Sequence, residues 1–201
     1  LPSYQRKSTM LDALCHGMES LWSLNSTEES RALSLQALRG VMQHGRGYLE
    51  NDGKGNAGML RAANLAGRAI DRAQTTAGHA MCYQLTGLYG ISHGHAAALC
   101  DQALLPWMLA HPERCVDPRG QAHVQTVLAQ LARVLGCEEP ERLPRRFSEL
   151  LAGLSLPRPE AKEADLPLLR SSVNPERLRN HPFRLTEPEL ESLYRDILFP
   201  S

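Results

Sequence analysis

The sequence lacks the features that most quickly identify a nucleic-acid-binding, membrane or secreted protein. Lys plus Arg number 22, as do Asp plus Glu, so the formal net charge at pH 7 is +0. Without an excess of either sign, we expect neither nucleic acid nor an anionic membrane surface as a partner. No apolar run approaches the roughly 20 residues of a membrane-spanning helix, and the opening LPSYQRKST lacks the apolar segment of a secretory signal. We therefore expect a cytoplasmic protein.

Cysteine is present but has no pattern typical of a structural or redox site. The five cysteines form no C-x-x-C pair and no cluster, which argues against a disulfide framework and against a zinc ribbon; they are Cys15, Cys82, Cys100, Cys115 and Cys137. We interpret them as free buried thiols. Cys15 and Cys82 stand beside candidate site residues, but neighbours on a helix point about 100° apart. We therefore assign both a packing role.

Alternating β-branched runs, which would predict strands, are also missing. Apolar residues instead recur at helical spacing, and a 42% hydrophobic content is enough for a core. We predict helices over residues 10–22, 59–76, 75–88, 93–109, 116–134, 140–151 and 186–198, and another after the capping residues 25–30. Residues 51–58, NDGKGNAG, are predicted to be a loop because they contain three glycines. The expected fold is one all-α domain, a multi-helix bundle over residues 1–201.

Four side chains have the types and the spacing of a metal site. Asp12 and His16 stand four residues apart in the first predicted helix, so their β-carbons share one face roughly 6 Å apart. His79 and His93 are fourteen residues apart, and the turn between their helices can bring both to one point. Together the four offer one carboxylate and three imidazoles to a cation. The D-x-x-x-H spacing alone is not specific, because it also occurs on exposed helices as a weak ion pair.

Several stretches of the sequence resemble one known family. They are DALCHGMES, NSTEESRALSLQALRGVM, AANLAGRAIDRAQTTAGHAMCYQLTGLYGISHGHAAAL and SVNPERLRNHPFRLTEPELESLY. They resemble the C-terminal helical domain of the iron-dependent (group III) alcohol dehydrogenases, and the resemblance extends over nearly the whole chain. It implies the helical bundle of that domain and the activity of an oxidoreductase.

The resemblance also implies a ligand set and cofactors. In that family an aspartate and three histidines hold the metal, at positions that match Asp12, His16, His79 and His93. The implied metal is Fe2+, with Zn2+ as an alternative, and the implied hydride carrier is NAD(P)H. Many relatives have a histidine four residues after the third ligand, where this chain has Tyr83, whose hydroxyl we expect to relay the proton. The family's N-terminal dinucleotide-binding α/β domain is not matched, so we expect cofactor binding to need a separate or missing nucleotide-binding half.

The substrate expectation comes from the same resemblance. The stretches SLWSLNSTEES and TTAGHAMCYQLTGLYGISHGHA resemble the branch that includes phosphonoacetaldehyde reductases. We therefore expect a small aldehyde or alcohol as substrate, with phosphonoacetaldehyde as one candidate. A cationic or imidazole group should then face the phosphonate, and His95 is the candidate residue. The alternative is that His95 caps its helix or faces solvent. We also expect the protein to be a homo-oligomer.

Two other functions stay open at this point. The chain is a truncated, non-catalytic metal-binding or interaction module if the cofactor half is lacking. An open metal site can also activate water for hydrolysis. Aldehyde reduction by NAD(P)H separates the dehydrogenase hypothesis from the first alternative, and turnover of an ester or phosphate without nicotinamide would favour the second.

Overall fold

The computed structural model describes residues 1–200, which form ten α-helices and three short 3-10 turns. No β-sheet forms within this range, where the one isolated bridge pairs Cys115 with Phe183. The all-α prediction is therefore confirmed. The helices are α1 (Ser3–Trp22), α2 (Glu28–Leu49), α3 (Gly53–Ala73), α4 (Ala77–Tyr89), α5 (His93–Ala110), α6 (Gln121–Leu135), α7 (Leu143–Gly153), α8 (Leu166–Ser171), α9 (Pro175–Leu178) and α10 (Glu187–Leu198).

Two helices lie at the centre of the bundle. Helix α1 packs against α2, α3, α5 and α6, and helix α5 packs against α1, α4, α7 and α10. The inward face of α1 carries large apolar side chains, among them Leu14, Met18 and Trp22, all buried. Helix α5 instead buries three consecutive alanines, residues 96–98, whose small side chains allow close helix packing. None of the helices in residues 1–200 is both long and apolar enough to cross a lipid bilayer.

Helix α1 begins earlier than the sequence pattern predicts. It starts at Ser3 instead of residue 10, so Ser8 and Thr9 lie inside it. Contacts with distant segments hold the additional turns. The Tyr4 hydroxyl accepts a hydrogen bond from the backbone N–H of Ser92 at 2.9 Å, and Arg6 donates to Asn56 at 2.8 Å. The helix therefore starts seven residues earlier than local periodicity predicts, because tertiary contacts stabilise its first turns.

The prediction of a loop over residues 51–58 is wrong for most of that segment. Helix α3 begins at Gly53, and the Asp52 carboxylate caps it by accepting a hydrogen bond from the Gly55 backbone N–H at 2.9 Å. Glycine destabilises a helix by about 1 kcal/mol relative to alanine, which is why the three glycines predict an interruption of the helical pattern. Here a Cβ on Gly55 would overlap the backbone of Gly47 in α2. Close packing of α2 on α3 therefore requires the glycine that local propensity disfavours.

Other bounds differ less from the predicted ones. The helix predicted over residues 116–134 is observed as Gln121–Leu135, because the side chain of Arg119 holds the preceding residues in a turn through hydrogen bonds to Asp117 and Ser26. Helix α6 ends at Leu135 and is capped by Gly136 in a left-handed conformation. All five cysteines are free; Cys115 and Cys137 are partly exposed, so the expected burial holds for the other three.

Gly94 allows α5 to approach α1 closely enough to place two candidate ligands together. A Cβ at this position would overlap the Ser8 carbonyl oxygen and would lie 2.7 Å from the Cβ of Asp12. Gly94 directly follows His93, the first residue of α5. Because Gly94 has no side chain, α5 can pack directly on α1, and His93 can lie beside Asp12.

Gly94→Ala should lower the free energy of unfolding by about 1–3 kcal/mol, because the added methyl group must push α5 away from α1. The measurement is urea unfolding followed by circular dichroism. Gly87→Ala is the matched control, since an added Cβ there meets nothing within 4 Å and alanine is the better helix former by up to about 1 kcal/mol. Equal effects of the two substitutions would contradict the close-approach role of Gly94.

Candidate metal centre

Four side chains from three helices lie close together in the bundle. Asp12 and His16 come from α1, His79 from α4 and His93 from the first position of α5. The Oδ1 atom of Asp12 lies 3.6 Å from Nε2 of His79 and 3.7 Å from Nε2 of His93. The other oxygen, Oδ2, lies 3.7 Å from Nδ1 of His16. The structure thus brings together the four side chains that the sequence analysis singled out.

The separations fit a single divalent cation. Ligand oxygen and nitrogen atoms stand about 2.0–2.2 Å from a bound metal, so atoms 3.6–3.7 Å apart can share one ion with little movement. One ligand atom each from Asp12, His79 and His93 lie within 4.8 Å of one another. A carboxylate with imidazoles is a donor set that suits iron and zinc.

Two buried atoms at this point have unmet bonding capacity. Asp12 Oδ1 and His79 Nε2 are buried and make no hydrogen bond within the described chain. An unsatisfied buried polar group costs about 1–3 kcal/mol. A cation between these two atoms would satisfy both, and the residues present therefore fit a metal.

The centre is closed on one side and open on the other. The His79 side chain is 2% exposed, whereas that of His93 is 38% exposed and that of Asp12 is 31% exposed. Tyr83, an exposed residue one turn after His79, lies over the open side with its ring centre 5.4 Å from that of His93. A small molecule can therefore reach the cluster from the side of His93 and Tyr83.

Glu19 supports the closed side of the cluster. Its fully buried carboxylate makes a short hydrogen bond with Nδ1 of His79. It also accepts hydrogen bonds from the backbone N–H of Thr76 at 2.6 Å and from the Thr76 hydroxyl at 2.8 Å. A carboxylate on the second nitrogen fixes the ring orientation and the tautomer of a metal-binding histidine. Nε2 of His79 is thereby directed toward Asp12.

The sequence analysis missed Glu19, although a signal for it exists. Glu19 lies seven residues after Asp12 and three after His16, which is two helical turns along one face. An acidic residue that continues the D-x-x-x-H face into a buried apolar stripe is unusual, because ionised carboxylates are rarely buried without a partner. That pattern predicts a partner for Glu19, but it does not identify His79.

Burial and charge act in opposite directions on the titratable groups of the cluster. Burial lowers the pKa of His16 to about 4 and also lowers the pKa of His93. Burial alone would lower the pKa of His79 too, but the Glu19 carboxylate raises it to about 10. For Glu19, burial would raise the pKa, and the charge and hydrogen bond of His79 hold it below its usual value. His16 and His93 are therefore neutral near pH 7, the form that binds metals, whereas His79 must release a proton when it binds one.

A second buried carboxyl group lies behind the Glu19–His79 pair. Burial, followed by the charge of Glu19, raises the pKa of Asp101 well above its usual value. Gly78 in α4 lies against both acids: a Cβ there would overlap the Asp101 carboxyl group and would lie 2.7 Å from Oε1 of Glu19. The glycine next to His79 therefore lets α4 sit directly on this buried acidic pair.

Two residues near the cluster have contacts that the sequence analysis did not anticipate. The Cys82 thiol lies 3.6 Å from Nδ1 of His93, so this cysteine contacts the site in addition to packing in the core. Arg177 of α9 places its guanidinium carbon 5.3 Å from the ring centre of Tyr83. Cys82 stands three residues after His79 on one face of α4, a spacing that could have indicated its contact, whereas Arg177 has no spacing relation to the four candidate ligands.

The structure does not bring His95 to the cluster. His95 follows His93 by two residues on α5, so the two side chains point about 160° apart. It is 1% exposed, its Nδ1 lies 3.1 Å from the Tyr4 hydroxyl, and its backbone N–H donates to the Ser8 hydroxyl at 3.3 Å. The expectation that His95 contacts substrate therefore stays a prediction without support from this geometry.

The chain is similar in sequence to a known protein family and to several of its members. Residues 7–198 match the model of the Fe-containing alcohol dehydrogenase family, C-terminal. The chain is 36% identical over 189 residues to phosphonoacetaldehyde reductase of Streptomyces viridochromogenes. The aligned region covers 92% of this chain and 47% of that protein. The chain is 28% identical over 208 residues to alcohol dehydrogenase 4 of Schizosaccharomyces pombe, covering 98% and 47%.

A solved structure extends the likeness to the fold. The iron-containing alcohol dehydrogenase of Thermotoga maritima matches with a TM-score of 0.79 and 26% identity, covering 98% of this chain and 50% of that one. The chain thus spans about half the length of the relatives that it matches.

Glu19→Gln should weaken divalent-metal binding by about 10- to 100-fold, the usual effect of removing a carboxylate that orients a ligand histidine. The amide has one acceptor atom where the carboxylate has two, so either His79 or Thr76 would face an N–H group instead of an acceptor. The dissociation constant for Co2+ can be measured by competition with a chelator. Glu138→Gln, at an exposed position, is the control, and an unchanged affinity in a folded Glu19→Gln protein would contradict the orienting role.

Proposed function

The chain belongs to the Fe-containing alcohol dehydrogenase family, and from this premise we propose that it forms the metal-bearing half of an iron-dependent, NAD(P)-linked aldehyde reductase. The observation that carries the proposal is the close approach of ligand atoms from Asp12, His79 and His93, two of which are buried without a hydrogen-bond partner. His16 lies beside the second oxygen of Asp12. The substrate is a small aldehyde, or the corresponding alcohol in reverse. Phosphonoacetaldehyde is the first substrate to test, because the Streptomyces relative is named a phosphonoacetaldehyde reductase.

The chain's own residues hold the cation and shape its surroundings. Asp12 and the three histidines are its ligands, and Glu19 orients His79 from the buried side. When bound, Fe2+ or Zn2+ supplies Lewis acidity toward a carbonyl oxygen, and NAD(P)H supplies the hydride. We place most of the cofactor's binding site on a nucleotide-binding half outside this chain, because the chain spans about half the length of its relatives. Behind His79, the fully buried Glu19 and Thr76 close that side of the cluster to solvent.

Removing one ligand tests the function directly. In the natural protein that contains this sequence, loaded anaerobically with Fe2+, NADH or NADPH should be oxidised when phosphonoacetaldehyde or propanal is added. His93→Ala should remove most of the bound iron and lower aldehyde reduction by at least about 100-fold, since a ligand to the cation is lost. His93 is the best ligand to change because it is the most exposed of the three residues with closely spaced ligand atoms.

One control variant and two contrary outcomes complete the test of the metal ligand. His111→Ala removes a histidine that stacks on Trp107 instead of joining the cluster, and it should retain iron and turnover. Iron bound by the ligands without any aldehyde reduction would support a non-catalytic metal-binding module. Hydrolysis of an ester without nicotinamide would support metal-dependent hydrolysis instead.

Tyr83 is the residue that we propose as proton donor to the reduced oxygen. Its hydroxyl-bearing ring lies beside His93 on the open side of the cluster. Tyr83→Phe should lower kcat by about 100-fold or more, the usual contribution of a positioned acid, while the iron content stays unchanged. Tyr89→Phe removes a hydroxyl from the same helix that bonds Asp165 instead, and should leave kcat within about two-fold. Equal kcat values for the two variants would exclude the proton-donor role.

A further inference from the structure

Arg177 lies at the open side of the metal centre on a helix anchored to α4. The single turn of α9, Pro175–Leu178, packs against α4. Asn174 joins the two helices: its backbone N–H donates to the Ala80 carbonyl at 3.4 Å, and its side-chain oxygen accepts from the Arg177 backbone N–H at 3.2 Å. The position of Arg177 is therefore linked to the helix that carries His79 and Tyr83.

The guanidinium group is held in place by two contacts. Nη1 of Arg177 donates a hydrogen bond to the Thr75 hydroxyl at 2.5 Å. The guanidinium carbon lies 5.3 Å from the Tyr83 ring centre, within the range of a cation–π contact. The Tyr83 ring in turn lies 5.4 Å from that of His93. The positive charge thus stands one aromatic ring away from the ligand cluster.

The charge of Arg177 has no acidic partner in the described part of the chain. No carboxylate oxygen of residues 1–200 is paired with it, whereas Arg179, two residues later, is paired with Glu176. The Thr75 hydroxyl is the acceptor for one of its five N–H donors. An arginine with this placement offers unused donors and positive charge to a molecule bound at the metal.

We propose that Arg177 binds the anionic group of the aldehyde substrate, so that the site selects short aldehydes that carry a phosphonate or a similar oxyanion. The inference rests on the proposed function, which places the carbonyl oxygen at the cluster. Guanidinium groups bind such oxyanions with two parallel hydrogen bonds. Thr75 and Tyr83 hold the guanidinium group of Arg177 in one orientation, which reduces the conformational entropy lost on binding. The cationic partner that the sequence analysis sought at His95 is thus supplied by another helix.

Matched substrates and matched variants test this role. At saturating NADH or NADPH, Arg177→Met should lower kcat/KM for phosphonoacetaldehyde by about 10- to 100-fold, the usual loss when a charged hydrogen-bond partner is removed. The value for propanal, which is neutral and of similar length, should stay within about two-fold. Arg179→Met removes the same charge from an exposed position nearby and should leave both values unchanged.

A binding measurement makes the test independent of turnover. Methylphosphonate should bind the metal-loaded protein in isothermal titration calorimetry, and Arg177→Met should weaken that binding about 10-fold or more while Arg179→Met does not. If aldehyde reduction is absent in the unaltered protein, the proposed function fails, and this titration still decides whether Arg177 is an anion site.

Three results would overturn the proposal. The first is an unchanged ratio of kcat/KM for the anionic and neutral aldehydes in Arg177→Met. The second is a rise in KM for NADH or NADPH with no change in that ratio, which would assign the arginine to a cofactor phosphate. The third is equal methylphosphonate binding by the unaltered protein and a folded Arg177→Met variant.

Discussion

The buried contact between Glu19 and His79 is the interaction on which the site depends. It joins α1 to α4 inside the bundle, where an ionised carboxylate without a partner would be strongly unfavourable. The same carboxylate accepts hydrogen bonds from Thr76, at the start of α4. One side chain therefore fixes both the beginning of α4 and the direction of the His79 ring. Asp12 and His16 lie on the same face of α1 as Glu19, so fixing His79 against Glu19 also places it beside them.

Glycine determines how closely the three site helices meet. Gly94 lets the start of α5 rest on α1 at Ser8 and Asp12, and Gly78 lets α4 rest on the buried carboxyl groups of Glu19 and Asp101. Both glycines directly adjoin a histidine of the cluster, His93 and His79. Helix packing and ligand placement are therefore one constraint, because a larger residue at either glycine would move a candidate ligand together with its helix.

The cluster has a structural side and a chemical side. Behind His79, the fully buried Glu19 and Thr76 leave no room for a substrate. In front, His93 and Tyr83 are exposed, and Arg177 extends this open side with a positive charge. The buried acids Glu19 and Asp101 belong to α1 and α5, whereas the opening is bordered by His93 at the start of α5, Tyr83 of α4 and Arg177 in the single turn of α9. A rigid rear wall with a polar opening is the arrangement expected of a site that binds a cation permanently and a small molecule transiently.

The sequence by itself determined the helical class, most helix positions and the four candidate ligands, because helical periodicity and the i, i+4 geometry of Asp12 and His16 are local properties. It failed at residues 51–58, where packing of Gly55 on Gly47 outweighs helix propensity. Only the tertiary structure decided that Glu19 supports His79, that His95 faces away from the cluster, and that Arg177 stands beside Tyr83. These relations join residues up to 94 positions apart, and such contacts depend on how whole helices pack, which no local pattern encodes.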